Sequence, residues 1–238
     1  MTTDSPPLSG LHERVLSTVG PALASGEVPA GTVLTIDGIV IEHQVSRTVA
    51  RDVVKVLESL HLVTARPRVG LTVRPSSEWN VLDPRLIRWR LAGPDRAAVL
   101  RSLHEMRHGV EPRAAALAAE RATPEHCGRL TAAAIGMAVT GRQGDLTAYL
   151  EHDVAFHRAL LEASGNELFA ALASIVGEVL AGRTHHDLMP ARPEPSAVRL
   201  HADVAQAVAS GDAAGAEQGM REIVGEAQRA VDSAFPTC

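Results

Sequence analysis

From Asp95 to about residue 233, every segment of the chain places apolar residues at helical spacing, and this constrains the fold more than any other feature. The periods predict helices near 95–121, 124–140, 144–163, 166–182, 196–209 and 212–233. Thr123-Pro124-Glu125, Pro195-Ser196 and Gly211-Asp212 mark boundaries, because a small polar side chain takes an orphan N–H and proline fits a first helical turn. Ala, Leu and Val fill the apolar positions while aromatics make up 3% of the chain, so the helices must pack closely through small side chains. The expectation for residues 95–238 is an all-helical antiparallel bundle.

The chain ahead of it has a different pattern. A helix from Leu11 to about Ala24 is followed by a turn and a short extended piece ending near Leu34. Ile36 to His43 reads as a short helix, intrinsically weak because it carries Gly38 and β-branched residues. Ser46 then caps a helix in which Val49, Val53, Val56, Leu57 and Leu60 share one stripe, while Arg47, Thr48, Arg51 and Lys55 project elsewhere. Leu62 to Arg66 and Leu71 to Arg74 read as strands around Pro67-Arg68-Val69-Gly70, a hairpin with a basic tip. Helix, short helix, basic helix and basic hairpin make a winged helix-turn-helix over residues 1–75. Residues 76–94 read as a linker with a short helix, started by Asp83 as cap and Pro84 in the first turn. The fold class is therefore mainly α.

The formal charge of −5 over 238 residues excludes a protein that simply coats nucleic acid. Within residues 46–74, however, Arg47, Arg51, Lys55, Arg66, Arg68 and Arg74 face only Asp52 and Glu58. A compact positive patch on an acidic chain fits local binding to an anion such as DNA. Cys127 and Cys238 are the only cysteines, which excludes a disulfide framework or a Cys-rich zinc module. The N-terminus lacks the pattern of a secretory signal and no apolar run has membrane-spanning length, so a cytoplasmic protein without a membrane partner is expected.

The segment from Val45 to Leu57 resembles the DNA-reading segment of the GntR family of bacterial transcription regulators, "V-S-R-x-x-V-R-E-A-L-x-x-L", and Arg68-Val69-Gly70-Leu71-Thr72-Val73 resembles that family's wing. Ala50 takes a usually apolar position, and the second helix lacks the usual opening Ser-Glu. The resemblance implies that Ser46, Arg47, Thr48 and Arg51 sit at the DNA, with Arg68 and Gly70 carrying the wing toward the minor groove. Trp79 to Asp83-Pro84 with Arg88-Trp89 is similar to a bridge in GntR regulators of sugar-acid catabolism, although two tryptophans also serve simply to pin domains together.

Polar residues at inward positions carry the chemistry of the bundle. Leu146, Leu150, Asp153, His157, Leu160 and Leu161 fall on one stripe, and His201 lies inward with Ala197, Val204 and Val208. An unpaired buried carboxylate is costly, so Asp153 needs a partner or a cation. Asp153, His157 and His201 suit a divalent metal ion such as zinc, nickel or manganese; an Asp–His hydrogen-bond network without metal satisfies the same pattern. The bundle resembles the FCD effector domain of FadR-like GntR regulators over nearly all of residues 95–233. That domain's metal site matches Asp153, His157 and His201 but has a fourth histidine where this chain has Ile223. His185 or His186 is a candidate substitute. Arg107 and Asn166 match family positions at the effector pocket, although Arg107 can also pair with Glu111 and Asn166 can be a helix cap.

The resemblance implies a homodimeric repressor whose binding to a palindromic operator is modulated by a small carboxylate, for instance a sugar acid such as gluconate. Two other classes compete with it. A metal-dependent hydrolase or lyase would use Asp153, His157 and His201, but it needs a general base, and no second inward carboxylate is evident beside Asp153. An architectural DNA-binding protein would leave the inward Asp and His without a role.

Overall fold

The computed structural model describes residues 8–185 and 192–235, with side chains from Gly10 onward and without that of His185. The chain forms two compact units, Met1–Arg96 and Ala97–Cys238. His186, one of the candidate substitute ligands, lies outside the described residues, as does the side chain of His185.

The first unit is a winged helix-turn-helix. Helix α1 (Leu8–Ala24) packs on α3 (Arg47–Ser59), and α2 (Ile36–His43) lies against α3. Weak propensity in α2 is offset at both ends: Thr35 Oγ1 accepts the Gly38 amide at 2.9 Å, and Gln44 closes the helix in the left-handed region at φ 54°. Ser46 caps α3 by accepting the Val49 amide at 3.3 Å, and Val49, Ala50, Val53, Val54 and Leu57 are buried. Strands β1 (Val33–Leu34), β2 (Val63–Arg66) and β3 (Gly70–Val73) form an antiparallel sheet in the order β1-β3-β2, with Arg66 opposite Gly70 at the tip of the wing. Gly70 has φ 116°, and a Cβ there would stand 2.6 Å from the Leu34 carbonyl oxygen, so β1 and β3 can pair only with glycine at this place.

Residues 76–94 are folded into this unit. Asp83 caps α4 (Pro84–Leu91), accepting the Arg85 amide at 2.8 Å, and Leu86 is fully buried in the same core as Leu16, Val53 and Leu62. Trp89 lies against Gly20 of α1, where a Cβ would fall 2.3 Å from the indole, and Trp79 donates its ring N–H to the Arg74 carbonyl at 3.1 Å. Both tryptophans thus fasten this segment to the first unit.

The second unit contains α5 (Arg96–Arg121), α6 (Pro124–Gln143), α7 (Leu146–Ala163), α8 (Glu167–Ala171), α9 (Ala173–His185), α10 (Pro195–Ser210) and α11 (Ala213–Ala234). Helix α7 packs on α6 and α9, and α10 packs on α11 and α6. Thr123 and His126 form a reciprocal capping box at the start of α6, and Asp212 caps α11 through the Gly215 amide at 2.9 Å. Ala115, Ala118, Ala133, Ala159, Ala205 and Ala216 fill the core, as close packing through small residues requires. One expected helix is corrected: the segment predicted as 166–182 is two helices. Leu172 interrupts it, its amide reaching the Phe169 carbonyl at 3.0 Å in a tighter turn, and α9 continues to His185.

Candidate DNA interface and ligand cavity

The buried stripe of α3 leaves Arg47, Thr48, Arg51 and Lys55 exposed on the side away from the core. Together with the wing they border a cleft of about 550 Å3, whose rim carries Arg47, Arg51, Arg66, Arg68 and Gly70. The Val69 amide bonds the Arg66 carbonyl at 3.1 Å, and Arg68 takes φ 64°, so the tight tip holds its arginine side chain out into solvent. Two acids enter this basic surface, Asp52 pairing with Lys55 at 2.9 Å. Asp37, in the first turn of α2, pairs with Arg47 at 2.6 Å with both side chains largely exposed.

The buried polar residues of the second unit converge. Asp153 and His157 stand one turn apart on α7, and His201 comes from α10; all three are buried and their ligand atoms lie within 4.8 Å of one another. Phe156, edge-on to His157 and His201 with centroids 5.8 and 5.0 Å away, wedges the two rings in place. His201 Nδ1 donates to the Ala197 carbonyl at 2.7 Å, which turns its Nε2 toward Asp153. His157 Nδ1 donates to Glu111, which turns its Nε2 toward Asp153 as well. The two Nε2 atoms stand 3.3 and 3.5 Å from Asp153 Oδ1, yet none of the three atoms makes a hydrogen bond. Three potential ligand atoms therefore face one point at distances too long for good hydrogen bonds, an arrangement that suits a divalent cation. Burial raises the Asp153 pKa, but His157 and His201 outweigh it and hold the carboxylate ionised.

Glu111, offered by the sequence as a partner of Arg107, is that partner, and its burial and its bridge to His157 are what the sequence did not show. It sits on α5, wholly buried, and bridges Arg107, whose Nε donates at 2.5 Å, to His157. Burial opposes its ionisation, yet the neighbouring Arg107 and His157 charges lower its pKa to about 2. A carboxylate behind a metal-type histidine fixes the tautomer and the ring orientation. The expectation that no second inward carboxylate accompanies Asp153 is thus corrected: Glu111 is there, but Arg107 and His157 occupy it, so it cannot serve as a general base.

Beside these groups lies a cavity of about 270 Å3 bordered by Arg107, Tyr149, Asp153, His157, Arg183 and His201. Its size suits a small ligand. Ile223 also lines it, so the wall position where the family's fourth histidine would be expected is apolar. Arg107 keeps Nη1 without a partner, as the cavity position expected for it requires. Asn166, expected at the effector, is instead the cap of α8, its Oδ1 accepting the Leu168 and Phe169 amides at 3.0 and 3.4 Å, and it does not border the cavity.

His104, one turn before Arg107 on α5, is fully buried with neither ring nitrogen hydrogen-bonded. Burial first, then the Arg107 and Arg183 charges, lowers its pKa from 6.5 to about 3. The unfolded chain therefore takes up a proton below 6.5 that the folded chain refuses until about 3, so stability falls as pH drops through this window. The expected loss is about 1.4 kcal/mol per pH unit, or about 2 kcal/mol at pH 5. Urea unfolding of His104→Phe at neutral pH and at about pH 5 should show that much less acid sensitivity than the parent. An unchanged acid dependence would remove His104 from the account.

A winged helix-turn-helix with a basic reading face, in one chain with a helical unit that encloses a polar cavity, is the build of a DNA-binding transcription regulator. Residues 102–226 match the FCD domain family. The HTH-type transcriptional regulator YieP of Escherichia coli is 33% identical over 159 residues, covering 66% of this chain and 69% of that protein. The galactonate operon transcriptional repressor of Escherichia coli is 25% identical over 219 residues, covering 91% of this chain and 95% of that one. Among solved structures, Lar, described as controlling the Listeria monocytogenes agr system, superposes with a TM-score of 0.60 at 15% identity, over 98% of this chain and 99% of that one, which shows a shared fold. The chain belongs to the GntR family of transcription regulators, in the FadR-like branch that carries an FCD domain. These are regulators and not enzymes, and with Glu111 already paired the hydrolase or lyase reading has nothing left to rest on. Among the described residues no helix is long and apolar enough to cross a membrane.

Proposed function

We propose that this protein is a homodimeric repressor whose grip on a palindromic operator is loosened by a small carboxylate, such as a sugar acid, bound in the cavity of the helical unit. The first unit would bind DNA and the second would dimerise and bind the effector. The reading is carried by one observation: Asp153 Oδ1, His157 Nε2 and His201 Nε2 meet beside a small cavity, buried and without a hydrogen bond. These residues would hold a zinc, nickel or manganese ion, which when bound supplies a Lewis acid for an oxygen ligand. Arg107 Nη1 offers a further donor to a carboxylate. The likeness to a galactonate operon repressor favours an acid of this class.

Regulation requires that the acid bind better to a state in which the two reading helices are misplaced, so effector and operator weaken each other by the same factor. The test is anisotropy with the DNA upstream of the protein's own gene, at fixed salt, with and without a panel of sugar acids and other small carboxylates. DNA affinity that no acid changes would overturn the proposal. In the same assay Arg47→Ala and Arg51→Ala should each weaken DNA binding by about 1–3 kcal/mol and reduce the salt slope by about one. Arg47 must leave Asp37 to reach a base, but an exposed pair costs at most about 1 kcal/mol to break. Both variants should keep the parent's dimerisation and acid binding.

A further inference from the structure

Two arginines share the cavity, and each keeps a nitrogen without a partner. Arg107 reaches it from α5 and Arg183 from α9, while Asp153, His157 and His201 come from α7 and α10. Arg107 is fully buried and its Nη1 has no partner; Arg183 is partly buried, and its Nε is cut off from solvent with no partner. No ion pair to Arg183 occurs among the described residues. Two guanidiniums in one enclosed space repel each other, and their unpaired N–H groups are costly unless an anion enters. His104, uncharged and without a hydrogen bond, does nothing to relieve this.

The buried charges give the second step. Glu111 and Asp153 cancel Arg107 and Arg183, so a divalent cation at Asp153, His157 and His201 leaves the inner set with two positive charges in excess. Glu226, partly buried like Arg183, and the exposed Glu194 also border the cavity and offset part of this excess. A ligand with two anionic groups gives the cation and the arginine pair each an anionic partner, which a ligand with one does not.

We propose that Arg107 and Arg183 form a second anion-holding position in this cavity, and that its ligand is a small hydroxy acid bearing a second anionic group, a carboxylate or a phosphate. This rests on the effector reading given above and names the class of acid within it. Arg183 is then the residue that sets specificity, through a contact with the second anionic group. Tyr149, itself on the cavity wall, keeps its hydroxyl protonated, its pKa raised by burial first and the Asp153 charge second, and so can donate to the hydroxyl-bearing middle of such a ligand.

The experiment is calorimetric titration of the full-length, zinc-loaded protein with gluconate, glucarate and 6-phosphogluconate, which share one chain of hydroxyls and differ in the second anionic group. Glucarate or 6-phosphogluconate is expected to bind at least about tenfold more tightly than gluconate, as a charge-assisted contact predicts. Which of the two gains tells carboxylate from phosphate. In Arg183→Gln the advantage should vanish, the doubly anionic acids losing much more affinity than gluconate, and Arg183→Lys should restore part of it. Equal affinity of the parent for all three acids, or an advantage that survives in Arg183→Gln, overturns this inference alone. Failure to take up zinc, or no heat with any of the acids, overturns the effector reading and this inference with it.

Discussion

Replacing Glu111 with alanine is expected to destabilise the folded protein by about 3–5 kcal/mol, the range for breaking a buried ion pair by removing one partner. Arg107 is fully enclosed, and its neutralising contacts among the described residues run to Glu111 through Nε and Nη2. Without that carboxylate a guanidinium stays in the interior with no counter-charge, and His157 Nδ1 loses its acceptor. Glu111→Gln should cost less, since an amide oxygen still accepts one of these bonds. The double variant Arg107→Met with Glu111→Leu should recover most of the loss, because it removes the buried charge along with its partner, leaving about 1 kcal/mol for the unmatched His157 nitrogen. Urea unfolding of the four proteins forms the cycle that isolates the pair. A cost below about 1 kcal/mol for Glu111→Ala would mean that Arg107 swings out to water, which contradicts an enclosed pair.

This residue also shows where sequence reading ran out. Glu111 follows Arg107 at i+4, and the same spacing describes a solvated surface pair, so nothing in the letters marks it as internal. Asp153, His157 and His201 were legible because they interrupt apolar stripes of Leu and Val on α7 and α10. Arg183 was not: Ile175, Val176, Val179 and Leu180 of α9 are all buried, apolar residues cover much of the helix circumference, and no single face points to the cavity. The break at Leu172 carries neither glycine nor proline, so the periodic pattern runs straight through it. In the first unit the reverse holds. Residues 36–43 form α2 as expected despite low propensity, because Thr35 and Gln44 supply caps at both ends. Polar side chains at inward positions carry information when they stand alone on a stripe; paired with each other, they read as surface.

Removing bound divalent metal from the proposed site is expected to lower the melting temperature by about 10 °C, the shift that about 4 kcal/mol of linkage gives a chain of this size when free metal exceeds its dissociation constant about a thousandfold. The physical basis is that, without a cation, Asp153 Oδ1 and the two Nε2 atoms are buried with no hydrogen bond, and the cation is the group that relieves all three at once. Differential scanning calorimetry with zinc or with a chelator reads the shift, and Asp153→Ala should melt at one temperature in both conditions. Ile223 makes the argument sharper. It stands at the cavity wall on α11, 7% exposed, so Ile223→His places a fourth donor beside the three without disturbing a hydrogen bond. Structural sites use four protein ligands and sites that bind an exchanging molecule use three. Ile223→His should therefore tighten zinc by about tenfold or more while weakening acid binding, since the added imidazole takes the coordination position an acid would use. A parent that holds no metal by elemental analysis and melts alike with zinc and chelator would rule out the cation. A tighter metal with unchanged acid affinity in Ile223→His would instead place the acid elsewhere in the cavity, away from the open coordination position.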